Sequence, residues 1–528
     1  MKPSEIKEEG DTRWKKSKMD VLSCLLYSIL IPKNHELVKL YEAFDWSEID
    51  KECKDKYKNQ KTGAPAYAPQ MLFRILVLMY VSGTAFESRS LSRLKTDMSW
   101  RWFVGLNIWD NVPDAGTLSK FRKRLGKEKF EKILVKLIES CDEAGLIGHK
   151  EGYYDMTGVE ASATQVTPYQ RAVILAKGLS AYLDEKQGGI GQLTEEEIGE
   201  IAREVLEAQH PSLKKVSGKQ IAASESRMSD RESENPSKET WWWQRIQKEI
   251  TDISLQTDEV AEDTKSHLKE VGKRLVQALP QAWGNPDATV GHTRTDGTLC
   301  GYRSGFLVDA KKLIITAVVF TGLNVREAPT VLTALDAHHK IFDVYPQSVG
   351  VDSAFEYDEI HVGMDTRGIE HVATIRGRPG PKGVFHSDAF LWNDDNQLHC
   401  PAEHPMNQVG GPYKSGKERF QSTADCSSCP LLNACLTSEQ QAKMGDSVVR
   451  TLQIEPDAHQ RAQLHRLRSR SDDGRAIRYR RFAAERLFGH NNQYHNGDKA
   501  PYRDGTMDHI AQLMVAFVSN LEKLAHYT

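Results

Sequence analysis

Residues 151–164 read EGYYDMTGVEASAT. An apolar and aromatic run closes on an acid, Asp155, and a small turn leads into a second strand-like run. A turn cap accounts for most single aspartates at strand ends, so a chemical role for Asp155 needs other carboxylates beside it. The stretch QSVGV, 347–351, is a short apolar strand that ends on Asp352. Between the two acids, GYRSGFLVDAKKLIITAVVFT, 301–321, reads as a hairpin around an Asp-Ala-Lys-Lys turn. APTVLTALDAHHKI is helical, and HVATI, 371–375, is one more strand. Strand, hairpin, helix, strand, helix is an α/β order. In open α/β sheets, ligands bind in the crevice outside the carboxyl ends of the strands. If the Asp155 and Asp352 strands are neighbours, their carboxylates converge, raise each other's pKa and favour divalent cations. A two-metal site of this kind clamps the attacking and leaving oxygens of a phosphodiester, with ions ~4 Å apart.

A third acid completes such a site. GRAIRYRRFAAERLFGHN, 474–491, reads as a helix with Asp472 and Asp473 near its start. Arg478, Arg481, Glu485 and Phe488 fall on one stripe at spacings of three and four. From Arg461 to Arg486 there are nine arginines and three acids. One reading of Glu485 is an ion-paired surface residue. The other is a metal-facing carboxylate flanked by arginines that hold DNA phosphates.

A chain of 528 residues accommodates two to four domains. Charged residues make up 27% and hydrophobic residues 39%, an ordinary globular balance. The net charge of −3 means that any basic surface is local. Eight cysteines are too sparse for a disulfide scaffold. Val21–Ile31 is interrupted by Ser23 and Ser28 and reads as a short strand or helix rather than a signal peptide. No run reaches the length of a membrane span, and a cytoplasmic protein without membrane contact is expected.

Residues 68–126 read as a compact set of helices. PQMLFRILVLMYVSG is strongly apolar and stops at Gly83, ESRSLSRLKTD and MSWRWFVGL are shorter helices, and VPDAGTLSKFRKRLG restarts. There Thr117 is expected to cap a helix whose exposed side carries Lys120, Arg122, Lys123 and Arg124. The pattern is that of a helix-turn-helix array or, equally, of a helical bundle with a solvated basic face. Residues 170–290 break the α/β pattern and read as an insertion. LTEEEIGEIAREVLEAQ is an amphipathic helix there, and SGKQIAASESRMSDRESENPSKET is polar and expected to be mobile. The run Trp241–Trp243 suits interdomain packing, or exposure for a partner. Cys400, Cys426, Cys429 and Cys435, spaced C-x25-C-x2-C-x5-C, suit a tetrahedral structural Zn²⁺, with His404 as a substitute ligand. Reduced, unliganded thiols are the simpler alternative.

Taken together, PDAGTLSKFRKRL, DMTGVEASAT, GYRSGFLVDAKKLIIT, VDSAF, RFAAERLFG, YRDG and SNLEKL, in this order and spacing, give the chain its resemblance to bacterial insertion-sequence DDE transposases, in particular the branch labelled insertion-sequence family 1182. The resemblance runs from about residue 33 to the C-terminus. It implies a ribonuclease-H-like catalytic core using two Mg²⁺ (or Mn²⁺), with Asp155, Asp352 and Glu485 as catalytic and metal-binding triad. It implies cleavage at the ends of an insertion sequence in double-stranded DNA and strand transfer to target DNA, by a dimer on DNA in the bacterial cytoplasm, associated with the nucleoid. Arg478 and Arg481 would position phosphates, and the basic helix at 117–125 would read the element ends. The related Tyr-Arg-Glu-Lys signature places a Tyr three residues before the Arg and a basic residue about seven after the Glu. Here those positions hold Arg478 and Asn492. A Cys cluster between the second Asp and the Glu is also similar to that of this branch.

The divisions expected are an N-terminal segment, 1–67, a helical DNA-binding module, 68–130, and core segments at 131–169, 291–390 and 446–528. The helical insertion, 170–290, and a zinc-binding insertion, 391–445, interrupt the core. The alternatives are a catalytically inactive DNA-binding relative, a metal-dependent nuclease of the same fold, and a zinc-stabilised interaction protein.

Overall fold

The computed structural model describes the chain except residues 1–13, 15–18, 58–65, 85, 187–192, 225–235, 257–263, 286, 294–296, 376–382 and 445–447, and except the side chains of 236–241 and 292–297. The fold is organised by β1, Glu151–Ala161. Its alternation sends Tyr154 to one face of a sheet and Tyr153 to the other, and both are buried. After the two-residue β2, Thr164–Gln165, the chain leaves the sheet, and it returns through β3, Ala282–Trp283, and β4, Thr289–Thr293. The predicted hairpin forms as β5, Gly297–Asp309, and β6, Ile314–Gly322. The remaining strands are β7, Ser348–Val351, and β8, Glu370–Ala373. Across the sheet the order is β6, β5, β1, β7, β8, with β4 beside the first part of β5. β5 runs antiparallel to β1 and β6, while β1, β7 and β8 are parallel. This order and these directions fit a ribonuclease-H-like core.

Helices cover both faces. Thr330–Phe342 and Asp358–Thr366 pack on one side, where Tyr154, Leu307, Val319, Val331, Leu335 and Ile360 share a core. Two glycines allow the fit. A Cβ at Gly305 would collide with the Tyr154 hydroxyl, which donates to Thr330 Oγ1 at 2.9 Å. A Cβ at Gly350 would press on Tyr153 and Ile477.

The other face meets the N-terminal helices: α1, Val21–Leu30; α2, Glu36–Glu42; α3, Ser47–Cys53; α4, Pro69–Val81; α5, Glu87–Thr96; α6, Met98–Val104; α7, Ala115–Leu125; and α8, Lys127–Glu143. Val21–Ile31 thus takes its helical alternative. Residues of α2–α8 form one continuous core with Phe306, Val308 and Ile314 of the sheet and with the C-terminal helix Gly505–Tyr527. Asn520 of that helix is fully buried, accepts from Ile315 N and donates to Ile315 O, each at 2.8 Å. The SNLEKL motif therefore ties the last helix to β6.

Two expectations for α7 are corrected. Its cap is Asp114, which accepts from Thr117 N at 2.7 Å, so the helix starts before Thr117. Arg122 is not on the exposed side: it is 3% exposed, pairs with Glu87 and lies over the Tyr502 ring. It follows Phe121 and precedes Leu125 by three residues, which places it on the inward stripe.

The insertion between β2 and β3 has its own core. Helices Pro168–Glu185, Glu195–Glu207, Pro236–Gln256 and Thr264–Leu275 bury Ile174, Leu179, Leu206, Ile246 and Leu268 together. Trp242 is buried in that core with Trp243 packed against it, within the insertion rather than between domains. The side chain of Trp241 and residues 225–235 of the expected mobile segment lie outside the described residues. Between β8 and the helix Pro456–Arg470, five short antiparallel strands form a second sheet with a small core of Phe390, Leu398, Met406, Phe420, Leu452 and Ile454. The polar chain between Cys400 and Cys426 thus folds around apolar residues of its own. The sheet also takes in Thr451–Ile454, past the expected boundary at 445. Among the described residues, no helix is long and apolar enough to cross a membrane.

Candidate active site

β1 and β7 are hydrogen-bonded neighbours, with Tyr153 opposite Gly350. Two residues further along stand Asp155, in the middle of β1, and Asp352, just past the end of β7, so the two acids lie side by side where the parallel pairing stops. β1 runs on to Ala161, held by its pairing with β5, and the turn expected after Asp155 does not form. Asp352 caps the short turn Ser353–Phe355, accepting from Ser353 N at 2.7 Å. The cap fixes its position beside Asp155.

The third acid arrives from a different direction. The expected single helix over 474–491 is two helices, Asp472–Arg480 and Phe482–His495, that meet at Arg481. At the junction Ala484 N donates to Arg481 O at 2.9 Å, a tightened turn. Both adjacent arginines reach β1. Arg480 donates to Glu151 Oε1 at 2.9 Å, and Arg481 Nη1 donates to Asp155 Oδ2 at 3.1 Å. The break lets consecutive side chains hold two acids four residues apart on one strand. Glu485 sits in the first turn of the second helix, and Arg481 Nη2 donates to its Oε1 at 2.6 Å. Phe306 stacks on Phe488 with ring centroids 5.1 Å apart, which presses this helix against β5.

The structure therefore gathers Asp155, Asp352, Glu485 and Arg481. Arg481 is 6% exposed and lies inside the acid cluster. Burial pushes the Asp155 carboxyl up to about 6; the Arg481 guanidinium opposes that rise, and Asp352 and Glu485 add to it. Among the described residues, the three acids do not all come within 4.8 Å of one another. Arg481 stands between Asp155 and Glu485. An all-oxygen donor set, crowded enough to need a positive charge and already holding a guanidinium, fits a hard divalent cation. The Arg480–Glu151 pair and the double grip of Arg481 have no sequence signal beyond two adjacent arginines.

Of the remaining candidates, Lys120, Lys123 and Arg124 are exposed on α7, with Arg124 over the Tyr57 ring at 4.6 Å. Arg478 is half-buried, and its Nε has no protein partner. A separate cavity of about 500 Å³, bordered by Arg89, Arg93, Trp100 and Asn496, opens beside α5, away from the acids. Cys400, Cys426, Cys429 and Cys435 line one small cavity with His404 and Arg450. Burial, reinforced by the other three thiols, pushes the Cys435 thiol up.

Two stretches of the chain match known families. Residues 26–124 match the family described as "Transposase domain (DUF772)", and residues 399–525 match "Transposase DDE domain". Both matched stretches are transposase domains, and together they support an insertion-sequence DDE transposase. The second match takes in Arg478, Arg481 and Glu485; Asp155 and Asp352 lie outside it. DDE transposases use a divalent metal, generally Mg²⁺ or Mn²⁺. The "Uncharacterized protein ORF8 in nfe locus" of Rhizobium meliloti is 25% identical over 130 residues, which are 24% of this chain and 61% of that protein. The chain thus spans about three fifths of the length of the curated relative it matches. No solved structure matches it.

Proposed function

We propose that this transposase, of the insertion-sequence family 1182 branch, binds the ends of its element and catalyses metal-dependent DNA cleavage and strand transfer. The observation that carries the proposal is the convergence of Asp155, in the middle of β1, and Asp352, at the end of the adjacent parallel strand β7, with Glu485 from a helix. Asp155, Asp352 and Glu485 would hold two Mg²⁺ or Mn²⁺, which when bound supply an activated water or 3′-OH and neutralise charge on the leaving oxygen. The residues themselves do the positioning. Asp155 is fixed by a buried strand and Asp352 by its turn. Glu485 is carried on a helix packed against Phe306 through Phe488. Arg481 neutralises Asp155 and Glu485 in the free protein and is placed to meet a phosphate. Arg478, one turn earlier, carries an unpaired Nε beside it. Lys120, Lys123 and Arg124 supply a basic strip on α7 for the DNA backbone. The buried Arg122 holds α7 to α5 through Glu87 instead. The four cysteines would hold one structural Zn²⁺, supported by their shared cavity. Synapsis of two ends calls for a dimer on DNA, a nucleoid location in the cytoplasm.

The test uses labelled duplexes of the DNA flanking the gene, with wild type, Asp155→Asn, Asp352→Asn and Glu485→Gln in Mg²⁺ and Mn²⁺. Wild type is expected to nick at the element ends and join them to target DNA. Each variant is expected to lose at least 100-fold in rate while keeping its DNA affinity. Binding without cleavage by wild type would replace the proposal with an inactive DNA-binding relative. Cleavage without joined products would replace it with a nuclease.

A further inference from the structure

The helix that carries Glu485 ends in a second group of metal-ligand side chains. His490 and His495 lie on it, and Glu522 faces them from the C-terminal helix. One ligand atom from each lies within 4.8 Å of the others. In a regular helix, residues five apart point roughly 140° away from each other. Here the last turn is widened: Asn496, in the left-handed region at φ 56°, donates its N–H to Asn491 O, five residues back. The histidine rings are brought to 5.2 Å between centroids.

The hydrogen-bond geometry suits a metal. His495 is 1% exposed, and its Nδ1 lies 3.0 Å from the backbone carbonyl of Tyr80, a pure acceptor. Nδ1 therefore carries the hydrogen, and Nε2 is left to face Glu522 Oε2 at 3.2 Å. A ligating histidine that donates its other N–H to a carbonyl is the usual outer-shell arrangement of metal sites. His490 is exposed, so one side of the group opens to solvent.

We propose that His490, His495 and Glu522 form a binding site for one borderline transition-metal ion of the Zn²⁺ class. Two imidazoles and one carboxylate are the donors such an ion takes with an open fourth position, and they disfavour Mg²⁺. The ion would pin the end of the Glu485 helix to the C-terminal helix and, through Tyr80, to α4. This site is independent of the acid cluster, which offers oxygen donors alone, and of the thiol cavity.

The test is Co²⁺ titration of the full chain with excess Mg²⁺ present, followed by optical absorption, for wild type, His490→Gln and Glu522→Gln. Thermal unfolding with and without Zn²⁺ accompanies it. Wild type is expected to bind one more Co²⁺ per chain than either variant, and the spectrum of that additional ion, wild type minus variant, is expected to show visible d–d bands without thiolate charge transfer. Zn²⁺ is expected to raise the wild-type Tm further than that of either variant. His490 is exposed and Glu522 partly so, which lets both variants fold; unchanged circular dichroism checks this. Equal stoichiometry and equal Zn²⁺ stabilisation in wild type and folded variants would overturn the site and leave a plain His495–Glu522 ion pair. That result would not touch the cleavage reading, which is tested by the acid variants.

Discussion

Arg481 is the residue on which the acid cluster turns. Its guanidinium holds Asp155 at 3.1 Å and Glu485 at 2.6 Å while almost fully buried itself. Removing one partner of a fully buried pair costs about 3–5 kcal/mol. Asp155 and Glu485 keep 27% and 41% of their side-chain surface, so solvent screens part of that loss. Arg481→Met keeps the volume and removes the charge. It is expected to cost about 1–2 kcal/mol of stability in metal-free buffer. Mn²⁺ should restore more stability to the variant than it adds to wild type, because the same carboxylates then take their positive charge from the ion. Urea unfolding with chelator and with Mn²⁺ checks this; an equal loss in both conditions would mean that Arg481 acts through packing alone. Single residues were legible in the sequence where chemistry and position coincided. Asp352 ended an apolar strand and Glu485 followed an arginine by one helical turn; Asp155 closed an apolar run, but its strand continues to Ala161 because β5 pairs with it throughout. Arg122 looked like its basic neighbours because a cluster of four cations does not say which one turns inward. That was decided by Glu87 and Tyr502, both remote in sequence.

At the scale of elements, β8 is held by three histidines that the sequence did not single out. His371 lies on β8, His361 on the helix Asp358–Thr366 and His465 on the helix Pro456–Arg470. Their rings sit 4.4–5.4 Å apart and are at most 3% exposed. Burial lowers all three, His361 to about 4. The charged groups around them are Asp358, Asp365, Arg466 and Arg468. A histidine held below its unfolded value near 6.5 is protonated first in the unfolded chain. Stability is therefore full above about pH 6.5 and falls as pH drops from there towards 4. The His361 share alone is on the order of 3 kcal/mol by pH 4. Urea midpoints at pH 7.5, 6 and 5 should drop more steeply for wild type than for His361→Leu; parallel slopes would contradict this account. The elements themselves followed from periodicity: the hairpin, the helix Thr330–Phe342 and the short strands before Asp352 and at HVATI stand where the pattern put them. The break at Arg481 did not follow, because the stripe of Arg478, Arg481 and Glu485 is continuous in sequence. Only the pull of Glu151 and Asp155, more than 300 residues earlier, divides it.

The whole molecule is a sheet with a helical unit hung from it. The insertion leaves β1 through β2 and returns through β3, and these pair directly, Thr164 with Trp283 and Gln165 with Ala282. Val166 N then donates to Gln281 O at 3.0 Å, so the two ends of the insertion are adjacent. Its helices bury a core separate from the core that joins the sheet to α2–α8 and the C-terminal helix. Loop-closure entropy rises slowly with length, so a long excursion between paired ends is tolerated by the host fold. The converse follows: replacing residues 167–280 with an Asn-Gly turn should leave the sheet, the N-terminal helices and the acid cluster folded. The shortened chain is expected to unfold in one cooperative transition within about 2 kcal/mol of the full chain's main one. Because Asp155 stands on β1, nine residues before β2 and paired with β5, the shortened chain should also keep the Mn²⁺-dependent stabilisation of the acid cluster. If it is instead insoluble or loses that stabilisation, the insertion supports β1 itself, and the small core of Val159, Ala161, Ala282, Ala288, Tyr302 and Ala500 at its root is where that support enters.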